Sequence, residues 1–182
     1  MKGIIFNLLE DYINNQLYED AWEEIVDKCH LDTEAPLDIV GPGTYSDHDF
    51  EEIAAKSAIR LKTSKEKLLC QFGRFSLPAI AQRYPAFFAP FKHPQDFLKS
   101  TGMIHQTEIK KLYKDAETPQ FSYYNIDDNH AVLRYSSNRN LKYMVEGLLQ
   151  GLGDYYKVPL EIMSKKKEQK VWEFTIKFAS AP

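Results

Sequence analysis

Ile5, Leu8, Leu9, Tyr12 and Ile13 fall on one side of a 3.6-residue repeat, with acids and amides opposite them, so residues 4–17 are predicted to form an amphipathic helix. A second helix is predicted from Tyr18 to Cys29. The stretch from Thr33 to Ser46 holds Pro36, Gly41, Pro42 and Gly43 and reads as a loop, after which Asp47 is placed to cap a third helix reaching Leu61. Ser64 can cap a fourth helix running toward Tyr84, with Pro78 inside it. Proline lacks the amide that an interior helical bond needs, so a kink or restart is expected there. After a turn at His93 and Pro94, a fifth helix extends to about Tyr113, with Leu98, Thr101, His105, Ile109 and Leu112 on one stripe.

Beyond Pro119 the repeat shortens. FSYYNI and AVLRYSS, joined through Asp127, Asp128 and Asn129, are rich in aromatic and β-branched residues and predict an antiparallel hairpin. Helical spacing returns at Asn140, where Leu141, Met144, Val145, Leu148, Leu149 and Leu152 form a stripe that Gly151 and Gly153 are expected to end. Two last strands, VPLEIMS and VWEFTIKF, flank a lysine-rich turn. Helices followed by ββαββ predict an α+β fold with a mainly antiparallel four-stranded sheet.

The chain of 182 residues is long enough for one sizeable core and is read as a single domain. A net charge of −3 leaves no electrostatic footprint for nucleic acid, and Lys165, Lys166 and Lys167 read as solvated turn residues. Cys29 and Cys70 form no C-x-x-C pair, which fits a reducing cytoplasm. Glu10 and Asp11 interrupt the apolar N-terminus too early for a signal segment, and no run is long enough to span a membrane. Gly151-Leu152-Gly153 follows a helix, the wrong context for a dinucleotide loop, and neither a G-x-S-x-G elbow nor an H-E-x-x-H helix occurs.

Two features carry chemistry. His105 sits on an apolar helical stripe and so points inward, where burial keeps imidazole neutral with a lone pair for a metal; a core histidine bonded to backbone fits the same position. Tyr135, Ser137 and Arg139 alternate at a strand end, so two hydroxyls and a guanidinium face one way. That set suits a carboxylate or the propionates of a porphyrin, and equally a solvated strand face.

MKGIIFNLLEDYI at the start, an inward His105, and Y-x-S-x-R as Tyr135, Ser137 and Arg139 together resemble the haem nitric oxide/oxygen binding (H-NOX) family, stand-alone bacterial type, related to the haem domain of soluble guanylate cyclase. The resemblance covers essentially the whole chain. It implies a helical subdomain at about residues 1–62, a haem-holding subdomain at about 63–182, and haem b (iron protoporphyrin IX) buried between the helical N-terminal part and the ββαββ unit. His105 would be the iron ligand, Tyr135, Ser137 and Arg139 would grip the propionates, and Pro119 would press on the macrocycle. Ile5, Leu9, Ile80, Met144 and Leu148 would line the gas-binding face.

The departure that matters is Met144, where family members that hold oxygen stably carry a tyrosine donor. Methionine cannot donate, so the resemblance implies NO (and CO) binding with poor O₂ binding. Tyr143 is about 100° round the helix and a poor substitute. NO trans to His105 would weaken the iron–histidine bond and free its helix. The relay would then pass to a sensor histidine kinase or a cyclic-di-nucleotide enzyme, with the chain acting as a sensor and not an enzyme. A peroxidase-like haem enzyme would need a distal acid/base, which the inferred lining lacks. A module binding another carboxylate through Tyr135 and Arg139 is the other alternative.

Overall fold

Period-two alternation in the second half of the chain becomes a four-stranded antiparallel sheet of order β1-β2-β4-β3, with β1 Gln120–Asn125, β2 His130–Ser136, β3 Leu160–Glu168 and β4 Val171–Phe178. The computed structural model describes residues 1–114 and 116–179. Alternate residues Ala131, Leu133 and Tyr135 of β2, with Phe174, Ile176 and Phe178 of β4, are buried on one face. The first hairpin turns as predicted, its corner fastened by Asp127 Oδ1, which accepts from the amides of Asn129 (2.9 Å) and His130 (2.8 Å).

The lysine-rich segment departs from expectation. Lys165, Lys166 and Lys167 lie within β3, opposite Phe174, Glu173 and Trp172, and the chain turns instead at Gln169, whose φ of 54° is left-handed. A register shift between Ile162 and Ser164 accommodates this. Lysines suit an edge strand, where they discourage pairing with another sheet.

The helices are α1 Gly3–Gln16, α2 Ala21–Val26, α3 Asp47–Arg60, α4 Lys65–Arg83, α5 Pro85–Phe88, α6 Pro94–Met103, α7 Ile109–Leu112 and α8 Lys142–Tyr156. Phe6, Leu9 and Ile13 of α1 meet Trp22, Phe50, Ile53 and Phe72 in one buried cluster, while Leu77, Val145, Leu149 and Leu152 pack on the sheet in a second. Both clusters draw on α4 and α8. Ser46, not Asp47, caps α3: its hydroxyl accepts from the His48 amide at 3.2 Å, which leaves the Asp47 carboxylate free to act elsewhere. No helix among the described residues is long and apolar enough to cross a membrane.

Neither Pro78 nor the glycines of α8 break their helices. A Cβ added to Gly147 would overlap the Cys70 carbonyl oxygen, and one added to Gly73 would overlap that of Met144, so α4 and α8 touch backbone to backbone. Pro78 cannot bond the Arg74 carbonyl four residues back, and that carbonyl lies where a Gly151 Cβ would stand 2.9 Å away. Braced by α8, α4 continues past the proline as one helix. Helix α8 ends only at Lys157, whose φ of 57° is left-handed, so Gly151 and Gly153 are packing residues and not stops.

Alanine in a free helix outdoes glycine by about 1 kcal/mol, but the overlap with α4 outweighs that gain. Gly147→Ala is therefore expected to lower the unfolding free energy by about 2 kcal/mol, read as a fall in the urea midpoint with unchanged slope.

Candidate functional site

Between the α4/α8 pair, the helix running from Pro94 to Leu112 and the buried face of the sheet lies a cavity of about 550 Å³. That volume is in the range of cofactor sites. Helix α6 continues into α7 through a π turn, Ile104–Glu108, and His105 sits in that turn. A π turn takes up extra residues without ending the helix. As a result Thr101, His105, Ile109 and Tyr113 line the cavity, whereas Leu112, expected on the same stripe, is 54% exposed.

The His105 ring stands against Phe121, centroids 5.0 Å apart, and Phe121 in turn packs on Tyr135 at 5.4 Å. Burial pushes the imidazole pKa down to about 4, so the ring is neutral near pH 7. Among the described residues neither ring nitrogen makes a hydrogen bond, and the ring faces the cavity. A core histidine would have such a partner. The Thr118 hydroxyl, also in the lining, is shielded from solvent and has no partner either.

Strand β2 ends at Ser136, so only Tyr135 of the expected triplet is on the strand; Ser137 and Arg139 follow in the connection to α8, and all three still line the cavity. The buried Tyr135 hydroxyl accepts from the Leu141 amide at 3.1 Å, and Ser137 Oγ accepts from the Arg139 amide at 3.2 Å. Arg139, only 16% exposed, donates Nε to Asp47 Oδ1 at 2.7 Å and Nη1 to the Glu117 carbonyl at 2.7 Å. Asp47 Oδ1 also receives the Met1 ammonium at 2.7 Å. Burial pushes the Asp47 carboxyl up, but the hydrogen bonds and charges of Arg139 and Met1 outweigh it and hold the pKa below the usual 3.8. The guanidinium is thus already clamping a carboxylate.

Ile5, Ile80, Met144 and Leu148 line the cavity together with Ile4, Leu77 and Val145, and none of these carries a donor. Leu9 does not. It is 0% exposed within the helical cluster, because a four-residue step carries it a turn deeper along α1 than Ile5. Pro119 lines the cavity, its carbonyl held by Gln106 Nε2 at 3.1 Å. Tyr143 is turned away from it, its ring beneath Lys142 Nζ at 4.5 Å.

Sequence reasoning missed Asp47 and Met1 as partners of Arg139. It also missed a hydroxyl pair in the lining, Tyr84 and Tyr113, 2.6 Å apart. Nothing local in the sequence signals either pairing. An uncommitted neutral imidazole, a partnerless hydroxyl, an apolar wall and a guanidinium with hydroxyls at one end fit a flat apolar group that bears a metal and carboxylates.

Comparison with known proteins decides which. A family model described as Haem-NO-binding matches residues 2–164. The chain belongs to the Haem-NO-binding, or H-NOX, family. The structure of a mutant H-NOX protein from S. oneidensis in the Fe(II) ligation state superposes with TM-score 0.90 at 26% identity, covering 100% of this chain and 98% of that one. An H-NOX protein from S. oneidensis in the Fe(II)NO ligation state gives 0.88 at 26% identity over 99% and 100%. The Fe(II) unliganded H-NOX protein from K. algicida gives 0.88 at 24% identity over 100% and 98%, a likeness of fold alone. No curated protein sequence matches. The α+β arrangement predicted from sequence is the H-NOX fold.

For this H-NOX chain, a depressed carboxyl pKa means that Asp47 contributes stability in full above 3.8 and loses it as pH falls below that value. The stability advantage of the parent over Asp47→Asn is expected to be level from about pH 7 to about pH 5 and to shrink toward about pH 3. Paired urea titrations across that range check it.

Proposed function

We propose that this chain binds haem b and senses nitric oxide in the cytoplasm, relaying its state to a separate signalling protein. One observation carries the reading: the neutral His105 imidazole faces an apolar cavity with neither nitrogen engaged, while Tyr135, Ser137 and Arg139 gather at the same cavity. Haem would supply an iron able to take a diatomic gas. His105 offers that iron a lone pair, because burial disfavours protonation of the ring. Arg139 offers two parallel N–H groups to a carboxylate, with the Ser137 and Tyr135 hydroxyls beside it, and Asp47 holds the guanidinium in place until then. Pro119 and Leu148 bound the space for the macrocycle.

Selectivity follows from the lining. Ile5, Ile80, Met144 and Leu148 exclude water and provide no donor, so bound O₂ would gain no hydrogen bond from them, whereas NO and CO depend on one much less. Structures of S. oneidensis H-NOX in Fe(II)NO and Fe(II)CO states show that relatives take both gases.

The relay is assigned to the α6–α7 helix. A ligand shifts an equilibrium only through its different affinity for two states, and here those states are His105 held and His105 released. The resemblance to stand-alone bacterial members points to a sensor histidine kinase or a cyclic-di-nucleotide enzyme as the reader, with this chain a sensor and not an enzyme.

Visible spectra of ferrous protein loaded with haem test the reading. A Soret band that moves on adding NO or CO and shows no stable oxy form in air is the expected result. A stable oxy spectrum would sink the selectivity, and no Soret band would sink the haem site.

A further inference from the structure

Among the described residues three side-chain polar atoms are shielded from solvent with no hydrogen-bond partner: Thr118 Oγ1, the Tyr123 hydroxyl and Arg134 Nε. A buried donor without an acceptor is uncommon and calls for a reason. Arg134 Nε still stands 3.0 Å from a Glu173 carboxylate oxygen, and neither it nor Tyr123 lines the main cavity. Thr118 does line it. Its hydroxyl is therefore the one of the three that a group occupying the cavity can reach.

The backbone holds this hydroxyl in a fixed place. On one side of Thr118 the Glu117 carbonyl accepts from Arg139 Nη1 at 2.7 Å, and on the other the Pro119 carbonyl accepts from Gln106 Nε2 at 3.1 Å. A residue ahead of proline is confined to extended backbone, and a β-branched side chain has few rotamers. The amide of Thr118 belongs to the same peptide group as the carbonyl that Arg139 holds, so the threonine stands beside the guanidinium. Tyr135, Ser137 and Arg139, the side chains already assigned to the carboxylates, each have a partner within the protein. A carboxylate arriving at Arg139 competes with Asp47, whereas Thr118 offers a donor with no bond to give up.

We propose that Thr118 is a further anchor of the macrocycle, its hydroxyl donating to a haem carboxylate at the Arg139 end. The proposal rests on the haem reading above. Thr118 belongs to the segment between α7 and β1, whereas Ile5, Ile80, Met144 and Leu148 come from α1, α4 and α8, so it adds a donor for the carboxylates and none on the gas-binding face. Its role is retention of the group, not choice of gas.

The test follows release of haem from loaded protein into excess apomyoglobin, read at the Soret band. Thr118→Val keeps the shape and removes the hydroxyl, and it is expected to release haem about ten-fold faster than the parent, since a bond to a charged acceptor is lost. Thr118→Ser keeps the hydroxyl and should stay within about two-fold of the parent. Thr118→Ala, measured alongside in case the valine variant folds poorly, should release haem as fast as the valine variant. Loading with haem dimethyl ester, whose carboxylates are capped, is expected to bring the parent and Thr118→Val to nearly equal rates. The parent's rate in both Thr118→Val and Thr118→Ala would overturn the anchor. So would a faster release that persists in full with the dimethyl ester, because the threonine would then act by packing alone. A parent protein that shows no Soret band fails before any release is measured, and removes the anchor with the haem site.

Discussion

Backbone contact between α4 and α8 is the constraint on which the site depends. Gly73 and Gly147 allow the two helices to meet closer than side chains would permit, and α4 runs unbroken across Pro78. From that seam Leu77 and Ile80 of α4, with Met144, Val145 and Leu148 of α8, project together into the cavity as a donor-free wall.

Electrostatics tie the other side together. Asp47 at the start of α3 accepts from both Met1 and Arg139, while Arg139 also donates to Glu117 in the segment after α7. The N-terminus, the third helix, the loop after β2 and the segment following the His105 helix thus share one network. An anionic ligand reaching Arg139 would compete with Asp47 and Glu117 for its N–H groups. The network runs along one end of the cavity, which Met1, Asp47, Glu117 and Arg139 all line.

Local patterns were readable in the sequence and tertiary pairings were not. The α1 stripe, the α8 stripe and the Asp127 turn depend on neighbours within a few residues, and each formed, with only the end of α8 displaced from Gly151 and Gly153 to Tyr156. The family was recognised from three short segments, and the Haem-NO-binding model matches across residues 2–164. The π turn was invisible, because α-periodicity fits Leu112 to the stripe as well as it fits Tyr113, and only packing against the sheet decides between them. Asp47 and Arg139 lie 92 positions apart, and a helix-start aspartate looks like a cap before it looks like a partner. Lys165, Lys166 and Lys167 looked like a turn because charge suggests exposure, which an edge strand provides equally well.

In the proposed function His105 holds the iron. Its most direct test replaces the side chain with nothing and supplies the ligand from solution, reading the visible spectrum of His105→Gly protein mixed with haem, with and without free imidazole. The Soret band of the histidine-ligated form is expected to be lost in the variant and restored by imidazole, which fits the vacated space against Phe121. A parent-like spectrum in His105→Gly without imidazole would contradict it, since the iron would then be held from elsewhere.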